Sequence, residues 1–61
     1  MSAIRITAEP GRIYLMLDGR RLRFERWYVA RVIGYVDLDE PTIERRMPAS
    51  AFESQIESVL E

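Results

Sequence analysis

The hydrophobic positions change their period along the chain. Ile4, Ile6 and Ala8 alternate with Arg5 and Thr7, which predicts a half-buried strand over residues 3–8. Glu9-Pro10-Gly11 follows, with Pro to fix φ near −65° and Gly to take a positive φ, as a type II turn requires. Alternation resumes over 12–17, with Ile13, Leu15 and Leu17 on one face and Arg12, Tyr14 and Met16 on the other. Asp18-Gly19 is a favoured hairpin dipeptide. A third strand over 20–25 then points Leu22 and Phe24 inward, giving an antiparallel meander.

From Trp27 to Val36 the chain is rich in β-branched and aromatic residues and is apolar on both faces except at Arg31 and Gly34. Such a run predicts a central strand covered on both sides, or covered by a second subunit. A helical stripe through Phe24, Tyr28, Val32 and Tyr35 competes with that reading. One straight strand from 20 to 36 would exceed about 50 Å at about 3.3 Å per residue. A bend is therefore expected near Glu25-Arg26 and at Gly34.

The acidic stretch Asp37-Leu38-Asp39-Glu40-Pro41 reads as a turn. Ile43 and Met47 fit either period, and residues 42–47 are assigned to a short strand ended by Pro48. Ser50-Ala51-Phe52-Glu53 matches the capping box S-x-x-E. Behind it Phe52, Ile56, Val59 and Leu60 form an apolar stripe opposite Glu53, Ser54, Glu57, Ser58 and Glu61, which predicts an amphipathic helix over 50–60. Glu57 and Glu61 would then occupy the negative end of the helix dipole with no cation beside them.

Sixty-one residues allow one domain. About 95 kcal/mol of apolar burial stands against about 90 kcal/mol of ordering entropy, so packing must be efficient or a partner must help. Hydrophobic residues make up 48% and charged residues 31%, the balance of a folded domain, and no apolar run approaches the roughly 18 residues of a membrane span. Met1 to Arg5 lacks the apolar segment of a signal peptide, so the default expectation is a cytoplasmic protein without membrane association. All nine cations are Arg; Lys, His, Cys and Asn are absent. A GC-rich genome would produce that bias, as would selection for bidentate guanidinium contacts.

Missing His, Cys and Lys remove most nucleophile, general-base and zinc chemistries, leaving carboxylates, Tyr, Ser and Arg. The Asp37, Asp39, Glu40 run lacks the Gly and distal Glu of a calcium loop, and no Gly-rich phosphate loop is present. No enzyme activity, cofactor or metal is expected. Charge is sorted instead: residues 1–36 hold seven Arg against three acids, and residues 37–61 hold two Arg against seven, behind a net charge of −1. A fold that separates the halves would have a basic sheet and an acidic end.

Candidate binding residues are Arg20, Arg21, Arg23, Arg26, Trp27, Tyr28, Arg31 and Tyr35, because Trp, Tyr and Arg dominate interface hot spots. With Tyr14, the Arg20 to Trp27 stretch also has the cations and aromatics that single-stranded DNA or RNA requires.

The fold class expected is α+β: a strongly bent antiparallel meander or partly open barrel of four or five strands with a C-terminal amphipathic helix. That element order resembles in outline the SH3-like and OB-like small barrels. A compact, acidic, cysteine-free domain without a catalytic set also looks like the accessory proteins that phages and other mobile elements use to bind and inhibit a host machine. The expected function is a non-catalytic protein-binding module, an inhibitor or adaptor, acting through a charge-polarised surface; the alternative is nucleic-acid binding. Homodimerisation is a further expectation, because Val29, Ile33 and Tyr35 compete with Tyr28, Val32 and Val36 for one core.

Overall fold

The computed structural model describes residues 6–61. Five strands, β1 (Ile13–Met16), β2 (Arg21–Val29), β3 (Val32–Asp37), β4 (Glu40–Pro48) and β5 (Ile56–Val59), form one antiparallel sheet in the order β4-β3-β2-β1-β5. A short helix, α1 (Ala49–Ser54), lies between β4 and β5. The architecture is α+β, a meander whose last strand returns to pair with the first, and the sheet does not close into a barrel because β4 and β5 both end as edges.

Glycine placed two of the turns. Gly11 (φ 86°) takes the positive φ expected after Pro10, and its N–H donates to the Phe24 carbonyl at 2.7 Å. Between β1 and β2 only Gly19 (φ 91°) is left-handed. Its N–H donates to Met16 O at 2.9 Å, and Met16 N–H donates to Arg20 O at 2.8 Å. This is the three-residue hairpin, a turn followed by a left-handed Gly, rather than the two-residue loop.

Four elements differ from expectation. Residues 6–8 carry no regular structure, and the rest of the expected strand 3–8 lies outside the described residues. The run 27–36 is two strands reversed at Ala30-Arg31, with Val29 opposite Val32; Arg31 takes a left-handed φ of 63°. That turn contains none of the Gly, Asn or Asp that usually marks a left-handed position. The expected bend near Glu25-Arg26 is present as a register shift between Phe24 and Arg26, whereas Gly34 pairs regularly with Arg26 and Arg46 and does not kink its strand.

The C-terminal helix over 50–60 is the fourth correction. α1 has six residues and starts after Pro48 with no side-chain cap, so the Ser50 and Glu53 capping box does not form. Glu53 instead accepts the Ala8 N–H at 3.0 Å. Gln55 (φ −102°, ψ 0°) ends the helix, and the chain extends into β5. A longer helix would have put Glu57 at a negative dipole end and left β1 with an unsatisfied edge. As a strand, the same residues pair Tyr14 with Val59 and Met16 with Ile56.

The core lies between one face of the sheet and α1. Tyr14, Met16, Leu22, Phe24, Ile33 and Phe52 are fully buried, joined by Tyr35, Ile56 and Ala8. Phe52 is the hub, its ring centroid 5.7 Å from Tyr14, 6.1 Å from Phe24 and 5.6 Å from Tyr35. β3 is the strand covered on both sides. Ile33 and Tyr35 face the core, while Val36 is buried on the outer face between Arg23 and Glu44, where long side chains cover it with their aliphatic stems. The Ala30-Arg31 reversal leaves Ile33 and Tyr35 on the core face and Val36 on the outer one, while Tyr28 and Val29 stay exposed.

Candidate functional site

Six of the expected binding residues come from β2 and its flanks, and the structure separates their roles. Arg20 is bound by Asp18 (2.7 Å), Arg21 lies 3.7 Å from Asp39, and Arg23 pairs with Glu25. Arg26 is held bidentately by Glu44, Nε to Oε2 at 3.1 Å and Nη2 to Oε1 at 2.7 Å. That pair lies across Gly34, where a Cβ would come within 2.5 Å of Glu44 Oε2. The Arg21–Asp39 and Arg26–Glu44 pairs join the basic first half of the chain to the acidic second half. An array of arginines already paired with carboxylates is a poor counterpart for phosphate, whose binding depends on free cations releasing counterions. Of the two aromatics that would stack on bases, Tyr14 is fully buried and accepts the Glu9 N–H through its hydroxyl at 2.8 Å, whereas Trp27 is half-exposed.

Tyr35 is core, 6% exposed. Tyr28 sits on the outer face, half-exposed, with the Arg46 guanidinium 3.7 Å from its ring centroid, a cation–π contact that no local pattern announces.

Trp27 behaves differently. The register shift at Glu25 returns Trp27 to the core side opposite Ile33, where it meets Phe24 edge-on at 5.1 Å, yet it remains 48% exposed. Its open flank faces a cleft of about 430 Å³ lined by Trp27, Val29, Ala30, Arg31, Ala49, Ser50 and Glu53. Three segments build it: the end of β2, the β2–β3 turn and the start of α1. The Ala49 N–H donates to Arg31 O at 2.8 Å and fixes the turn against the helix. Trp27, Val29, Ala30 and Ala49 supply apolar surface; Arg31, Ser50 and Glu53 supply polar groups. Sequence reasoning found Trp27 and Arg31 but missed the others. Ser50 and Glu53 carried a local capping signal that hid their place, and Val29, Ala30 and Ala49 carry none.

A second depression of about 300 Å³ on the outer face is lined by Glu25, Arg26, Val36, Pro41, Thr42 and Glu44, and the Arg26–Glu44 pair spans its wall. Among the described residues no group of three or more acids is placed to hold a metal ion, and no helix is long and apolar enough to cross a membrane. No protein-family model, curated protein or solved structure matches the chain.

Proposed function

We propose that the protein is a non-catalytic protein-binding module, an inhibitor or adaptor, that seats an apolar side chain of its partner in the cleft beside Trp27. The observation that carries this reading is the half-exposed Trp27 set against the apolar floor of Val29, Ala30 and Ala49. A tryptophan that could be buried but is left open leaves a large apolar area to be removed from water on binding. The volume is that of a site for one or two side chains. The hydrogen bond from Ala49 to Arg31 holds two of its walls together before any partner arrives. Absence of His, Cys and Lys from the chain favours binding over catalysis. We also propose that the fold is an open relative of the SH3-like outline, an assignment supported by the return of β5 to β1 after the short helix.

Selection from a displayed library of random peptides tests the reading. Sequences with an apolar anchor are expected to be enriched on the native protein and lost on a folded Trp27→Ser variant. Enrichment that is absent, or equal on both proteins, sinks it.

A further inference from the structure

Arg31 occupies a costly backbone position. It is the one non-glycine residue with a positive φ among the described residues, in a two-residue turn where Gly or Asn would be accommodated more easily. Strain of this kind persists where something else requires the side chain. Among the described residues the guanidinium has no hydrogen-bond, ion-pair or cation–π partner. Among the described residues, which include every Asp and Glu of the chain, Arg31 has no carboxylate within 4 Å, whereas six of the other arginines do. Arg46, similarly without a carboxylate, is occupied by the Tyr28 ring. Among the described residues the hydrogen bond made by Arg31 is at its carbonyl, which accepts the Ala49 N–H, and any residue would supply it. Glu53 lines the same cleft, but it lies beyond ion-pair distance of Arg31, and its Oε2 is taken by the Ala8 N–H.

We infer that Arg31 is a specificity residue, and that the partner segment carries an Asp or Glu side chain close in sequence to the apolar residue that enters the Trp27 cleft. This rests on the protein-binding reading and adds the partner's charge to it. Arg31 lines the cleft together with the apolar surface of Trp27, Val29, Ala30 and Ala49, so a carboxylate next to a seated apolar side chain can gain a charge-assisted, bidentate contact with its guanidinium. An amide or ammonium in its place gains less or is repelled.

Trp27 is the only tryptophan of the chain, so its emission reports on this cleft alone. Capped octapeptides with one Leu and one Glu separated by zero to three Ser would be titrated to millimolar concentration. Matched series carry Gln or Lys for Glu, or a free C-terminal carboxylate instead of the side chain. The Glu series is expected to shift the emission at concentrations about tenfold lower than the Gln series. Arg31→Gly should abolish that difference while raising the melting temperature by about 4 °C, because the left-handed turn is relaxed. Equal response to Glu, Gln and Lys peptides overturns the role of Arg31 and leaves the cleft a binding site. Tighter binding of the free C-terminus overturns the assignment to a side chain. A lower melting temperature in Arg31→Gly makes Arg31 part of the fold and overturns the inference. No shift with any peptide overturns the protein-binding reading with it.

Discussion

Gly34 has no room for a methyl group while the Glu44 carboxylate lies against it, 2.5 Å from where a Cβ would stand. The obstacle is the end of a flexible side chain, so Gly34→Ala should displace Glu44 and break its bidentate hold on Arg26 without breaking the strand. The expected cost is up to about 1 kcal/mol, the scale of an exposed ion pair. With Glu44→Ala already present, the same change should stabilise the protein, since alanine has less backbone entropy to lose. Urea unfolding of the four proteins measures the coupling, and additive effects would show that the two residues do not interact. Asp18 supplies a second residue-level expectation. The backbone N–H of Arg20 first, and its guanidinium next, hold the Asp18 carboxyl below the ordinary carboxylate range. A lowered folded pKa contributes stability that is present above the unfolded value of about 4 and is lost as pH falls through the folded one. Asp18→Asn should therefore flatten the loss of stability on the acid side; an acid limb identical to wild type contradicts this.

Among the elements, α1 depends on one side chain. Phe52 is its only buried residue and touches Tyr14, Phe24 and Tyr35. Phe52→Ala should cost about 3–5 kcal/mol, much of the total stability of so small a domain, and should remove the cleft because Ala49 and Ser50 lose their support. Chemical denaturation followed by circular dichroism measures it, and a loss below about 1 kcal/mol would show that α1 is held otherwise. Elements were legible where local chemistry decides them. Gly11 and Gly19 announced their turns, and Leu22 and Phe24 their face. The Ala30-Arg31 reversal was not legible, because its left-handed position is filled by a residue chosen against local preference. Ile56 and Val59 fit a helical stripe and an alternating strand equally. What decides between them is the open edge of β1, some forty residues earlier in the chain, which no local period contains. Tyr14 and Met16, rather than Leu17, face the core for a related reason: Phe52 supplies the opposite wall, and its place follows only from the whole fold.

For the whole molecule, pairing of charges matters more than their number. Because Arg20, Arg21, Arg23 and Arg26 each have a carboxylate partner, random single-stranded oligonucleotides are expected to bind weakly with a shallow salt dependence; a steep slope in fluorescence anisotropy would reverse that conclusion. Trp27 and Arg31 could be nominated from the sequence by residue type, but the cleft that unites them with Ala49 and Glu53 could not, since it is made by a turn and a helix meeting in space. The open ends of the sheet have their own effect. β4, an edge strand, is nine residues long and contains Pro41, Arg45, Arg46 and Pro48, residue types that discourage strand-to-strand association. Sedimentation is expected to show stronger concentration-dependent association in an Arg45→Val, Pro48→Val double variant than in the 61-residue wild type. At the other edge, β1 is translated long before the strand that covers it: Tyr14 pairs with Val59. At about 5–20 residues per second, the ribosome leaves that edge uncovered for about 2–9 s in every molecule made. Slow codons placed after residue 54 would lengthen this interval, and the yield of soluble protein should fall with them.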